Sequence, residues 1–219
     1  MREMNLPEGW KWVKLGEVIE FIKGRAPSKL YEADKKNTTR YLTPDYLRGA
    51  TQKTYYCDIN ETITVNEDIV ILWDGSNAGE VFFVKNGGLA STMVKVKLTT
   101  DELSNKFVFY FLKYKEYLIK YQIKGSGIPH VEKSIFNSLL TIYPPLSQQK
   151  KIAEILETVD KIIEKTEKII EKYKRIKQGL MQELFTKGID ENGKIRDEKT
   201  HRFKDSPLGR IPEEWEVVR

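Results

Sequence analysis

The chain is predicted to fold in the α+β class, as a mixed α/β globular domain followed by a long coiled-coil-forming α-helix. Three observations predict this. Up to about residue 146, short β-branched and aromatic runs alternate with turn signals around one helical stretch. From Ser147 to about Phe185 one apolar stripe repeats at helical spacing. The opening segment Leu6-Pro7-Glu8-Gly9-Trp10-Lys11-Trp12-Val13-Lys14 then returns as Ile211-Pro212-Glu213-Glu214-Trp215-Glu216-Val217-Val218-Arg219, with Pro7 and Pro212 standing 205 residues apart. That interval suits one domain plus a connector and is far too long for a solenoid repeat.

Taken in order, the runs Asp68 to Trp73, Val81 to Val84 and Met93 to Leu98 are strand-like. Asp74-Gly75 and Asn86-Gly87-Gly88 punctuate them as turn signals. Asn105 to Gln122 is a helix whose Phe107, Phe111, Tyr114, Leu118 and Tyr121 recur every three or four residues. A short helix is expected from Val131 to Asn137 and a strand from Leu139 to Tyr143, before Pro144-Pro145 closes a domain over residues 6–146.

The second part, residues 147–187, is expected to start with Ser147 as N-cap and to stop before Gly188. Ile152, Ile155, Leu156, Val159, Ile162, Ile163, Ile169, Ile170, Tyr173, Ile176, Leu180 and Leu184 make its stripe. Thr166 stands where the seven-residue repeat wants an apolar group. Lysine and glutamate fill the other faces, with i,i+4 pairs such as Glu164–Lys168. At ~1.5 Å per residue the helix is roughly 58 Å long, against a radius of gyration of roughly 15 Å for an ordinary domain. Its stripe needs a second helix, and only one such segment is present, so the partner is expected from another chain. Residues 188–219 are polar and read as a linker leading into the start of a second repeat.

Composition narrows the class. With 219 residues, 40% hydrophobic and 11% aromatic, the chain can bury a real core. A single cysteine, Cys57, excludes a disulfide framework and suits a cytoplasmic protein. No apolar run approaches the ~18 residues that span a bilayer, so no membrane is expected. The net charge of +5 leans toward an anionic partner. It is concentrated between Phe21 and Lys53, where eight basic residues face only Glu32, Asp34 and Asp45.

Catalytic constellations are missing. Two histidines and one cysteine are too few for a zinc site, and no metal or cofactor is expected. Gly75-Ser76-Asn77-Ala78-Gly79 lacks the Gly-Lys-Ser/Thr of a phosphate loop. Pro44-Asp45 has no Glu-x-Lys to complete a nuclease motif. Ile142-Tyr143-Pro144-Pro145 lacks the polar residue of an adenine methyltransferase loop. The chain is not expected to be an enzyme.

Several blocks together resemble the specificity subunits of type I restriction–modification systems. Pro7-Glu8-Gly9-Trp10 with Leu15-Gly16-Glu17-Val18 is similar to the opening of their target-recognition domains. Gly24-Arg25-Ala26-Pro27-Ser28-Lys29 looks like their Gly-x-Thr-Pro-Ser segment, with Ala26 in place of threonine. Tyr41-Leu42-Thr43-Pro44-Asp45-Tyr46-Leu47 and Ile69 to Gly79 match two further blocks. Pro144-Pro145-Leu146-Ser147-Gln148-Gln149-Lys150-Lys151-Ile152-Ala153 resembles the boundary into their central helix, with Gln148-Gln149 for the usual Glu-Gln. The resemblance implies a non-catalytic reader of double-stranded DNA that takes one half of a bipartite site. It also implies a methyltransferase (modification) subunit that brings S-adenosylmethionine, and a restriction subunit that brings ATP-driven cleavage. With one recognition domain and one helix, the chain is expected to be half-length or truncated. It would act as a homodimer through antiparallel helices, joined by Ile152, Ile155, Leu156, Val159, Ile162, Ile163, Ile169, Ile170, Tyr173, Ile176 and Leu180, on a palindromic split target.

Candidate DNA contacts follow cluster by cluster. Arg25, Lys29, Arg40 and Arg48 flank turn-like sequence in the basic segment, with Thr43 among them. Arginine grips guanine or phosphate, and lysine neutralises phosphate. Asn77, Ser91 and Thr92 offer short polar groups at loop ends, although ordinary turn chemistry also selects them. Lys124, Ser126 and His130 surround a Gly-x-Gly loop. The competing class is a coiled-coil adaptor whose globular head binds protein.

Overall fold

The computed structural model describes residues 6–123 and 129–218. In order, the elements are β1 (Lys11–Lys14), β2 (Ile19–Lys23), β3 (Thr38–Leu42), α1 (Pro44–Leu47), β4 (Tyr55–Asp58), β5 (Ile63–Leu72), β6 (Val81–Leu89) and β7 (Met93–Leu98). There follow α2 (Asn105–Gln122), α3 (Lys133–Ser138), β8 (Leu140–Tyr143), α4 (Leu146–Lys187), β9 (Phe203–Ser206) and β10 (Gly209–Pro212). Two compact units meet between Glu157 and Thr158, inside α4.

In the first unit, six strands form one sheet in the order β2-β7-β5-β6-β3-β4. Every neighbouring pair is antiparallel except β3–β6. The central β5 carries Ile69, Val70, Ile71 and Leu72, all buried. Ile69 and Ile71 enter one core with Trp73, Val94, Val96 and the helices, while Val70 and Leu72 enter a second with Leu42, Cys57, Leu89 and Met93. Alternate residues of a strand face opposite sides, so an unbroken apolar run suits a strand covered on both. Each such side chain contributes about 1.5–3 kcal/mol on burial.

Two expectations change here. Asn86-Gly87-Gly88 is no turn; it lies inside β6, where β3 runs parallel at Tyr41↔Gly88. A Cβ on Gly87 would come within 2.6 Å of the Leu42 side chain, and one on Gly88 within 2.6 Å of Thr62. These glycines serve close approach. On α2 the buried positions are Val108, Leu112 and Ile119, whereas Tyr114, Leu118 and Tyr121 of the expected stripe are exposed and Phe107 and Phe111 lie at its border. One residue step turns a helix by about 100°, so α2 carries two apolar stripes, and the sheet takes the aliphatic one.

α4 begins at Leu146, with the Pro145 carbonyl accepting from the amides of Gln148 and Gln149. Ser147 is therefore inside the first turn and is not the N-cap. The fully buried Gln149 anchors this end. Its Nε2 donates to the carbonyls of Glu102 and Pro144, both at 2.8 Å, and its Oε1 accepts from the Ser104 amide at 2.9 Å. Buried Ala153 and a 2.7 Å ion pair between Lys106 and Glu157 continue the attachment. At the far end the Gly188 amide donates to the Leu184 carbonyl, and the left-handed φ of +65° at Gly188 stops the helix.

Within the second unit, the segment expected as a polar linker holds local structure. An isolated bridge joins Ile189 and Ile195, and β9 pairs antiparallel with β10. Ion pairs Arg196–Glu214 and Arg210–Glu198 tie it together, so its charges serve the turn instead of only solvating it.

Candidate nucleic-acid interface

Backbone hydrogen bonds tie the segments after β2, β3 and β5 to the β6–β7 turn, and the segment after α2 to the one after β5. Past β2, the amides of Gly24 and Arg25 donate to the carbonyls of Met93 and Leu89. Past β3, the Leu42 carbonyl accepts from Ala90. Past β5, the amides of Trp73 and Asp74 both donate to the Thr92 carbonyl, and Gly75 donates to Pro129. Past α2, the Val131 amide returns to the Trp73 carbonyl. Arg25, Thr43, Asn77, Ser91, Thr92 and His130, far apart in sequence, thus belong to loops tied to one another.

Their side chains are not equally available. Arg25, Asn77 and Thr92 are exposed, and Ser91 is half-buried. Arg25 has no carboxylate partner among the described residues. The Thr43 hydroxyl caps α1, accepting from the Tyr46 amide at 3.2 Å. Arg48 is committed: Nε donates to Glu80 Oε2 at 2.7 Å and Nη1 to Asp45 at 3.2 Å. The Glu80 hydrogen bond leads in raising the Arg48 pKa further above its ordinary value, against the effect of burial. Arg48 therefore pins α1 to the β5–β6 loop.

Lys29 and Arg40 are each engaged by a tyrosine. The Lys29 ammonium lies 5.4 Å from the Tyr31 ring, and Tyr31 bridges Tyr56 on the edge strand β4. Arg40, on β3, donates to the Tyr46 hydroxyl at 2.7 Å. Lys124 and Ser126 lie outside the described residues.

Asp74, which sequence reasoning passed over as a turn residue, sits among the cations. Its carboxylate accepts from Lys23 Nζ at 2.8 Å and bonds His130 Nδ1 at 2.5 Å. Burial pushes the Asp74 carboxyl up, but the hydrogen bonds from Lys23 and His130 outweigh it and hold the group below the usual carboxylate range. The only signal in the sequence is an acidic residue set between Trp73 and Gly75 at the end of an apolar run.

Along α4 the seam residues stay open. Ile152 is half-buried, while exposure runs from 39% at Leu156 to 66% at Tyr173 across Ile155, Val159, Ile162, Ile163, Ile169, Ile170, Ile176 and Leu180. Near the C-terminal end Ile170, Tyr173, Ile176, Leu180 and Leu184 line a shallow apolar groove. The Thr166 hydroxyl bonds back to the Ile162 carbonyl at 2.8 Å, which hides its polarity from the seam. Among the described residues no group of three or more histidine, cysteine or acidic side chains could hold a metal ion. Nor is any helix among them long and apolar enough to cross a membrane.

Comparison with known proteins agrees with this architecture. The family described as type I restriction modification DNA specificity domain matches residues 7–175. The type I restriction enzyme MjaVIII specificity subunit of Methanocaldococcus jannaschii is 42% identical over 220 residues, covering 100% of this chain and 50% of that protein. The chain spans about half the length of the curated relatives it matches. Its fold is similar to the type I restriction–modification S subunit from M. genitalium, with a TM-score of 0.59 at 20% identity over 84% of this chain and 47% of that one. It is also similar to the HsdS subunit from Thermoanaerobacter tengcongensis, with a TM-score of 0.56 at 20% identity over 84% and 46%. On the extent of the family match and the identity to the archaeal subunit, the chain belongs to the type I restriction modification DNA specificity domain family.

Proposed function

We propose that this chain is a non-catalytic DNA reader that takes one half of a bipartite site, with its linked loops entering the major groove. The observation that carries the reading is the convergence of Arg25, Asn77, Ser91, Thr92 and His130 on linked loops, with Arg25 left without an acidic partner among the described residues. Arginine and asparagine are suited to base edges, and the hydroxyls and lysines to phosphate. Lys29 and Arg40 would add charge at the β3–β4 edge without reading bases.

In the same reading, the seam of α4 is covered antiparallel by α4 of a second copy. The support is its seven-residue apolar repeat from Ile152 to Leu180, broken at Thr166, and its exposure. Two readers related by a two-fold axis would then favour inverted identical half-sites, with α4 setting their separation. A methyltransferase subunit would supply S-adenosylmethionine, and a restriction subunit the ATP-driven cleavage. The domain division 6–146, 147–187 and 188–219 corresponds in this scheme to reader, spacer and connector.

A second reading, a coiled-coil adaptor with a protein-binding head, finds support in the exposed α2 face of Tyr114, Tyr117, Leu118 and Tyr121. Methylation mapping of DNA from cells carrying the chain with its cognate methyltransferase separates the two. The reader yields a bipartite motif with inverted halves at a fixed gap; the adaptor yields no motif that depends on Arg25.

A further inference from the structure

The cluster of Lys23, Asp74 and His130 has a geometry that the reading of DNA alone does not require. One carboxylate serves two nitrogen-bearing side chains from different segments: Lys23 at the end of β2 and His130 after α2. Both remain about half exposed, at 54% and 53%, while Asp74 is 26% exposed. Trp73 meets the imidazole edge-on at 6.0 Å and 87°. The Asp74 and His130 backbones are themselves bridged, so the ring is fixed from two directions.

Chemistry then assigns the ring nitrogens. An ionised carboxylate only accepts hydrogen bonds, so His130 Nδ1 must carry a proton. Nε2 is left for a ligand. In the neutral ring it is an acceptor, and in the imidazolium it is a charged donor. A phosphate oxygen takes only the second form, and charge-assisted hydrogen bonds are roughly twice as strong as neutral ones.

We infer that Asp74 is a positioning residue of the interface, holding His130 so that its Nε2, when protonated, and the Lys23 ammonium together grip a DNA backbone phosphate. This rests on the DNA-reading function proposed above and adds a proton to it. Facing the imidazole are Asp74 and, through that carboxylate, Lys23. In the neighbouring β6–β7 turn, the Thr92 carbonyl is taken by the amides of Trp73 and Asp74. Glu80, the other acid of the β5–β6 loop, is occupied by Arg48. With the ring neutral the trio carries no net charge; protonation makes it +1. DNA affinity therefore rises as pH falls.

The test is fluorescence anisotropy of a short mixed-sequence duplex with the full chain at fixed salt, from about pH 8 to about pH 6. Affinity should tighten about three- to tenfold across that interval, the worth of one charge-assisted contact. Asp74→Asn and His130→Gln should both flatten the profile, the second keeping an amide donor but no titration. Arg25→Ala should weaken binding at every pH and keep the slope, separating the base-edge contact from the phosphate grip. Binding with a flat profile in the unmodified chain, or a slope that survives in His130→Gln, overturns the inference and leaves DNA reading intact. No binding at any pH overturns both.

Discussion

Trp10 and Trp215 make the same hydrogen bond: each amide donates to the carbonyl of the proline three residues earlier, at 3.0 Å in both cases. The repeated Pro-Glu-x-Trp segment is thus a repeated turn. The first copy sets Gly9 against Pro145, beside the start of α4. In its own unit, the second sets Trp215 against Gly188, just past the end of α4. A Cβ on Gly188 would lie 2.6 Å from the Trp215 indole, in addition to the left-handed φ it would have to adopt. Gly188→Ala should therefore lower stability by more than about 1 kcal/mol. A reduced denaturant midpoint, with loss of the Trp215 environment in fluorescence, is the expected result.

Gln149 gives the second prediction. Replacing it with alanine leaves the Ser104 amide and the Glu102 and Pro144 carbonyls without their partner in a buried place. The expected loss is at least about 2 kcal/mol. Glutamate should not rescue it, since an ionised carboxylate cannot donate to two carbonyls. Thermal unfolding of both variants checks this.

Arg25 and Arg48 should separate function from stability. Arg25→Ala is expected to leave unfolding unchanged and to weaken DNA binding by about 1–3 kcal/mol, the worth of a base-edge contact. Arg48→Ala strips Glu80 of its main partner and should cost about 1–3 kcal/mol of stability. Denaturation and DNA titration on the same two samples decide it.

Ile162 and Ile169 lie on the exposed seam of α4, at 58% and 53%. Lysine at both positions would place charge in an apolar helix pair, and the double variant should sediment as a monomer. The unmodified chain should sediment as a dimer at micromolar concentration.

Glu116 supplies a pH dependence. Burial pushes its carboxyl up, but hydrogen bonds from Lys113, Lys120 and the Val81 amide prevail and hold it below the ordinary value of 4.5. A depressed folded-state pKa means stability that is full above the unfolded value and disappears as pH falls through the folded one. Glu116→Gln should thus be less stable at neutral pH by about 1–2 kcal/mol. The difference should close as the pH drops below 4.5. Urea denaturation at both pH values measures it.

Element types were readable because they depend on local pattern. Strand β7 and helix α2 fall where periodicity predicts them, and the α4 stripe is visible without any fold. Gly87-Gly88 was misread because the same residue serves a turn and a close strand approach, and only β3 lying against β6 distinguishes them. On α2 the spacing predicts the helix and not the face that it buries. Two apolar faces are available, and packing against the sheet buries Val108, Leu112 and Ile119.

The sequence by itself determined the classes of element, the long helix with an open seam, the basic character of residues 21–53 and the family. All follow from short-range spacing or from charge that no folding can remove. What only tertiary structure decided is which of the cations are available. Arg25 and Arg48 look alike in sequence, yet Arg48 meets Glu80 thirty-two residues away, and Arg25 meets no carboxylate among the described residues. Lys23 and His130 likewise become a pair only because the chain brings Asp74 between them. Long-range pairing sets the partner of each charge, and the partner decides whether that charge holds the fold together or remains open to a ligand.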